Sequence, residues 1–445
     1  MTDRRQTATA VATKYTRSVA AHTLPAAAAA GDLAEQPGIR EALQWFTREK
    51  QWVNEVHLQL CRIPAPTFLE QERALWMATQ FRSLGWHVWI DQAGNVLASL
   101  DGLANKAGLS DKDALPDDTQ PLVAVTAHLD TVLTPRSNED VSIDNQGDMR
   151  GPGVSDNGAG LAALLAIAKA VHSTPHPDDL WHRLLLIANV GEEGEGDLRG
   201  IRHICGQPEL IRRIGAFLVL DGAATAHITT QALGSRRFLV SFAGSGGHSW
   251  SDFGIGNPVH ALSRAISLFV DQKPLDPRAS PKVSVNVGLI EGGASINAIP
   301  ASARAKVDIR SESNEKIAQL VAALQSAVAR AEDIENGRAL GQKVTATVRE
   351  IGNRPAAKLP DHAPIISKIR AVEAYLGIRS RLDCASTDAN IPLSLGIPAI
   401  SIGAGGQGGG AHTMSEWYRS EGRDLGLKRI LLTAALLLRD LASAP

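Results

Sequence analysis

The chain has only three cysteines, Cys61, Cys205 and Cys384, scattered over 445 residues. That spacing forms no zinc ribbon and suits a reducing compartment. No apolar run approaches the roughly 18 residues of a transmembrane helix, so no membrane partner is expected. A dominant charge is lacking too. The 45 Lys and Arg against 47 Asp and Glu leave a formal net charge of −2. No global field therefore draws in nucleic acid or an anionic membrane. Near the start, Arg4, Arg5 and the tract "LPAAAAAG" lack between them the dense apolar segment of a secretory signal. Residues 1–39 read as a frayed, partly helical N-terminal extension, and the expected location is the cytoplasm. Hydrophobic residues at 44% and charged residues at 21% are ordinary for a globular enzyme. The length bounds two or three domains and is enough to bury a large core.

What is there is a set of short apolar runs with helical patterns between them. "LVAVTAHLD" begins at Leu122, "LLLIANVGEE" at Leu184, "AFLVLDG" at Ala216 and "PAISIGAGG" at Pro398. None alternates strictly, as expected of strands buried on both faces. Helical segments such as "GAGLAALLAIAKAVH" intervene. The pattern predicts an α/β fold, a mostly parallel sheet flanked by helices. The middle of the chain differs. "RRFLVSFAG", "KVSVNVGLIEGG" and "ASARAKVDIRSES" show the period of two of half-exposed strands, with two amphipathic helices between and after them. This predicts an inserted α+β sandwich at 234–352, dividing the larger domain into 40–233 and 353–445.

Ligands of open α/β sheets bind beyond the carboxyl ends of the strands. Metal-type side chains stand at several such places. His128 and Asp130 close the first run. Glu192 and Glu193 follow the second, in "NVGEEGEGDLRG". Asp221 closes the third, and the fourth leads through "GAGGQGGGAHTMSEW" to His412. "GPGVSDNGAG" carries Asp156 just before a helical segment. A lone aspartate at a strand end is ordinarily a turn or cap residue, but five such groups in register point to metal. Imidazole with carboxylate and no cysteine suits Zn²⁺, with Mn²⁺ or Co²⁺ as alternatives. The ligand number suggests two ions, which need a bridging carboxylate between metals roughly 3.5–4 Å apart. Asp156 is the candidate, because its glycine-rich surroundings let the backbone approach closely. A bridging water, its pKa lowered toward about 7, still needs a base to take its proton.

Together "AHLDTV", "GPGVSDNGAG", "GEEGEGDLRG", "VLDG" and "AHTMSEW" resemble the motifs of the dinuclear zinc exopeptidases that include glutamate carboxypeptidase, peptidase T and aminoacylase. The resemblance runs from about Arg40 to the end of the chain. It implies two Zn²⁺ per chain: His128 and Asp221 on one, His412 and Glu193 on the other, Asp156 between them. Glu192 would be the general base, and Asp130 would orient His128. The inserted domain resembles the family's lid and dimerisation domain, which implies a homodimer. In "GSGGHSW", His248 matches a histidine that stabilises the oxyanion in the partner subunit's active site. "GGASINAIP" and "KVDIR" match positions holding a substrate carboxylate, Asn297 and Arg310. A guanidinium fork suits that task. "STDAN" offers Thr387, which would be a further substrate contact. Glu195 and Asp197 have no counterpart and read as loop acids. The other histidines, His57 among them, read as core or surface residues, and the tryptophans as packing.

The resemblance implies hydrolysis of an amide bond next to a free terminus of a small peptide. A metal-bridging hydroxide attacks while Glu192 shuttles the proton. At the third-ligand position, deacylases and carboxypeptidases of the family tend to have Glu, and di- and tripeptidases Asp. Asp221, with "GGHSW", favours the di- or tripeptidase branch. The alternative is an N-acyl amino acid amidohydrolase or carboxypeptidase using the same dizinc site. A noncatalytic relative would have lost the base or a ligand, and none is lost. A metallophosphoesterase also uses two metals, but the inserted domain and "GEEGEGDLRG" argue against it.

Overall fold

Apolar runs without alternation become strands with no exposed face. In the computed structural model, which describes residues 28–100, 120–173, 179–271, 276 and 278–442, these runs supply the central sheet. In chain order the strands are β1 (His87–Ile90), β2 (Val96–Ser99), β3 (Leu122–His128), β4 (Ser142–Ile143), β5 (Met149–Arg150), β6 (Leu184–Asn189), β7 (Ile214–Leu220) and β8 (His227–Ala232). There follow β9 (Gly234–Ala243), β10 (Gly247–His248), β11 (Val283–Gly292), β12 (Ala298–Ile299), β13 (Ser302–Ser311) and β14 (Thr345–Arg354). The last are β15 (Ala357–Lys358), β16 (Arg381–Ala385), β17 (Ala399–Ile402), β18 (Gln407–Gly409) and β19 (Trp417–Arg419). The expected extension falls largely on residues 1–27, outside the described residues. Helix Pro37–Arg48 spans the expected start of the first domain.

The chain divides into two compact units. The first holds the described residues up to Thr230, Leu359–Asp383, and those from Thr387 onward. Its sheet runs β1-β2-β6-β3-β7-β17-β8. The pairs β6–β3, β3–β7 and β7–β17 are parallel, whereas β1–β2, β2–β6 and β17–β8 are antiparallel. The α/β expectation is thus borne out, with a parallel centre and antiparallel flanks. Every residue of β3, β6 and β17 is buried. Helix Gly158–Ser173 has apolar residues all round and is buried over nearly its whole length. Such a helix belongs inside a large domain. Gly158 is demanded by close approach: a Cβ there would lie 2.6 Å from the carbonyl oxygen of Gly153. A second sheet, β18-β19-β5-β4, is antiparallel throughout. Its strands of two or three residues carry no legible period, so the sequence did not announce it.

The second unit holds Gln231–Lys358 and Cys384–Ser386. Its sheet runs β11-β13-β9-β14, all antiparallel. Alternation on β9 and β13 sends Phe238, Val240, Phe242, Ala303, Ala305, Val307 and Ile309 to one buried face. Helices Pro258–Val270 and Asn314–Arg338 cover that face with Leu262, Phe269, Val321 and Leu324. Asn257 caps the first helix by accepting the N–H groups of Val259 and His260, and Ser313 caps the second by accepting that of Lys316.

Candidate metal centre

Parallel pairing puts the carboxyl ends of β3, β6, β7 and β17 on one edge. His128 is the last residue of β3, and Asp221 follows β7 directly. Glu192 and Glu193 lie just past β6, and His412 lies in the connection between β18 and β19. Asp156 is delivered by the turn before helix Gly158–Ser173. There Asn157 caps the helix, accepting the Gly160 N–H with Oδ1 at 3.2 Å. Its Nδ2 donates to the carbonyl of Leu220, at the end of β7, at 2.8 Å. The cap therefore also pins the turn to the sheet edge.

His128, Asp156 and Glu193 form a cluster whose potential ligand atoms lie within 4.8 Å of one another. His128 Nε2 is 3.1 Å from Asp156 Oδ1. His412 Nε2 is 3.0 Å from Glu193 Oε1 and 3.3 Å from Asp156 Oδ2. One oxygen of Asp156 thus faces each histidine. Ligands held at roughly 2.0–2.2 Å from one tetrahedral ion stand about this far apart, so the residues fit a metal centre. The tautomer of His128 fits as well. Its Nδ1 lies 2.9 Å from the main-chain carbonyl of Asp130, which can only accept, so Nδ1 carries a hydrogen and Nε2 is the nitrogen that would meet a cation.

Electrostatics gives the same picture of surplus negative charge. Burial, then the charges of Asp156 and Glu193, push the carboxyl of Asp221 up to about 7. Hydrogen bonds to Asp156 and Glu193 raise His412 to about 10, although its side chain is 53% exposed. Burial opposes a charge on His128, but its contacts with Asp130 and Asp156 hold it well above the usual imidazole range. Burial likewise opposes charge on Asp156, yet the two histidines hold its carboxyl well below the usual value. Protons on the imidazoles balance the carboxylates, the service a divalent cation would perform.

Asp130 answers how two adjacent glutamates are held at a buried edge. Its Oδ1 accepts the N–H of Glu192 and its Oδ2 that of Glu193, both at 2.9 Å. Oδ2 also accepts the hydroxyl hydrogen of Thr67 at 2.9 Å. The carboxylate stands 3.6 Å from His128 Nδ1, farther than the residue's own carbonyl. Asp130 thus meets His128 through both its carbonyl and its carboxylate, and the same carboxylate anchors the glutamate loop. The fully buried Arg73 donates to the carbonyl of Leu129, between His128 and Asp130, at 2.8 Å.

Glu416 and Asn157 were not singled out from the sequence. An Asn just before a glycine-rich apolar helix is an N-cap signal that could have found the second. Glu416 is buried, and its carboxylate accepts N–H groups of Gly153, Ser155 and Asp156. Burial outweighs these bonds and lifts its carboxyl to about 7. His57 is a core residue: it bonds the Val154 carbonyl through Nε2 at 2.7 Å and accepts from Arg423 at Nδ1 at 2.8 Å. Thr387 is buried, and its hydroxyl accepts the Ala389 N–H at 3.2 Å.

In the second unit, His248 is exposed on β10, with Nδ1 accepting the N–H groups of Trp250 and Ser251. Asn297 is exposed, and its Oδ1 accepts the hydroxyl hydrogen of Ser295 at 2.6 Å. Arg310, on β13, is half-buried and donates from Nε to Asp308 at 2.6 Å.

Two family models match the chain. Residues 113–241 match that of peptidase family M28, and residues 222–335 match that of the peptidase dimerisation domain. The cytosol non-specific dipeptidase of Escherichia coli is 25% identical over 292 residues, 60% of this chain and 55% of the relative. A probable carboxypeptidase of Uncinocarpus reesii is 29% identical over 209 residues, 43% of this chain and 45% of the relative. The chain thus spans about half the length of the curated relatives it matches. Among solved structures, a tripeptidase of Staphylococcus aureus aligns over 88% of this chain and 99% of its own, with a TM-score of 0.66 and 21% identity. The resemblance to these peptidases, drawn from the motifs, is borne out in both units. No helix among the described residues is long and apolar enough to cross a membrane.

Proposed function

We propose that this chain, whose two matched segments are both those of peptidases, is a metal-dependent exopeptidase of di- or tripeptidase type. The observation that carries the reading is the meeting of His128, Asp156, Glu193 and His412 at 3.0–3.3 Å, with Glu192 beside them. His128, His412, Glu193, Asp221 and the shared Asp156 would hold two divalent ions, zinc by the donor set. When bound, such a pair supplies Lewis acidity and lowers the pKa of water toward about 7.

The chain's own residues do the rest. The motif resemblance assigns Glu192 to take the proton from water and return it to the departing amine. Asp130 fixes the backbone of both glutamates, so the base and its metal-binding neighbour move as one unit. The motif resemblance assigns His248 to the developing oxyanion and Asn297 and Arg310 to a substrate carboxylate. Residues 40–233 and 353–445 would form the catalytic domain and 234–352 the lid and dimerisation domain. A homodimer in the cytoplasm completes the proposal.

The test is a substrate panel on metal-loaded protein: dipeptides, tripeptides and N-acetyl amino acids. Hydrolysis of the peptides, lost to a chelator and restored by zinc, is expected. Turnover restricted to N-acetyl compounds would transfer the assignment to the amidohydrolase alternative, and release of C-terminal residues from longer peptides to a carboxypeptidase. The carboxypeptidase-like relative keeps that second reading in view.

A further inference from the structure

We infer that Glu416 is a positioning residue for this centre: its buried carboxylate holds the backbone turn that presents Asp156, reaching it from the loop that carries His412. The inference rests on the metal-dependent reading above and adds a residue which that reading does not use. Glu416 is 2% exposed. Its Oε1 accepts the N–H groups of Ser155 at 2.7 Å and Asp156 at 2.8 Å, and its Oε2 accepts that of Gly153 at 2.8 Å. Its main-chain carbonyl accepts the N–H of Gly151 at 2.9 Å. One residue thus satisfies four donors in a six-residue stretch of buried turn, and each would be costly to leave unpaired.

The surrounding strands explain why this residue occupies the key position. β19 starts at the next residue, Trp417, and pairs with β5, Trp417 opposite Arg150 and Tyr418 opposite Met149. β18 pairs with the other side of β19. His412 lies in the β18–β19 connection, and the Asp156 turn lies just beyond β5. The short sheet is therefore a frame with one ligand at each open end. The 3.3 Å between His412 Nε2 and Asp156 Oδ2 spans those ends. Glu416 ties them together with its side chain and backbone at once.

A carboxylate suits the task because it only accepts, and both its oxygens face donors. An amide of the same shape would turn an NH₂ toward at least one N–H. The turn would then shift, and metal ligands tolerate shifts of only about 0.5 Å. Outer groups that orient ligands typically contribute about ten- to a hundredfold in metal affinity. A residue that merely stabilises the small sheet would lack this effect. The pair Asp148–Arg419 supplies the contrast: at 2.7 and 2.8 Å it joins β19 to the residue before β5 and touches none of the donors of the Asp156 turn.

The experiment measures zinc affinity of the metal-stripped full chain by competition with a chromophoric chelator, alongside thermal melting. Glu416→Gln is expected to bind zinc about ten- to a hundredfold more weakly than wild type. Glu416→Asp, which keeps the charge on a shorter arm, should fall between. Asp148→Asn should melt earlier with zinc affinity unchanged. Wild-type affinity in Glu416→Gln, or an equal loss in Asp148→Asn, overturns the inference and leaves the metal-dependent reading standing. Wild-type protein that takes up no zinc overturns both. If Glu416→Gln does not fold, Glu416→Asp decides, and undiminished affinity there overturns the inference.

Discussion

Glu192 and Glu193 are adjacent in sequence, share an anchor in Asp130 and are proposed to do different work. Glu193 meets His412 at 3.0 Å, while the motif resemblance gives Glu192 the proton transfer. Glu192→Gln keeps the shape and removes the proton acceptor. It should retain zinc at the wild-type stoichiometry and lose about 10²- to 10⁴-fold in kcat, the usual weight of a positioned base. Metal analysis and steady-state kinetics on one preparation check both halves, and wild-type kcat would refute the base assignment. Residue types at strand ends made these two legible in the chain. Asn157 and Glu416 were not, because their partners are backbone groups: Gly160 and Leu220 for the one, Gly153, Ser155 and Asp156 for the other. Side-chain patterns do not record which backbone N–H groups a fold leaves without partners.

Among elements, legibility followed length. The ten-residue strands β9 and β13 show their period of two plainly, and their buried members form the core of the second unit. Phe242, fully buried in that core, tests it. Phe242→Ala should cost about 3–5 kcal/mol by leaving a cavity. Denaturant unfolding should show a lower midpoint for the transition of that unit, with zinc binding retained. β4, β5, β18 and β19 are too short for a period, and only long-range pairing reveals them. A close approach decides Gly403, just past β17, where an added Cβ would run into backbone of Ala223 and Ala224. Gly403→Ala should therefore lower the melting temperature, and a full-chain melt measures this.

At the scale of the whole molecule, the charge balance of the centre should govern stability. In metal-free protein the carboxyls of Asp221 and Glu416 are raised to about 7. Their stabilising contribution is present below their unfolded values near 4 and is lost as pH rises through about 7. His412 is raised to about 10, so its contribution is present below about 6.5 and is lost as pH rises through 10. These groups act in one direction. Above the pH where buried His57, whose depressed pKa acts in the opposite direction, has finished titrating in the unfolded chain, metal-free protein should melt progressively earlier, from about pH 7 to 9. Metal binding needs deprotonated ligands, so the gap in melting temperature between zinc-loaded and metal-free protein should widen over the same range. Melts with and without chelator measure that gap, and a gap that narrows would show that these residues do not share a cation. Zinc content should approach two ions per chain. The match of residues 222–335 to the peptidase dimerisation domain supports a homodimer, expected in sedimentation equilibrium.

The sequence by itself determined the class of fold and the cast of candidate ligands. Short unbroken apolar runs between helical patterns read as buried strands, and His, Asp and Glu recurring at their ends read as candidate ligands. What the tertiary structure decided was assembly. It set which histidine faces which oxygen of Asp156, and placed Asp130 against both His128 and the backbone of the glutamate loop. It also brought the Glu416 carboxylate onto the backbone N–H groups of the Asp156 turn. The physical reason is that side-chain pattern reports burial and chemistry, whereas backbone hydrogen bonding between distant segments depends on register and loop geometry.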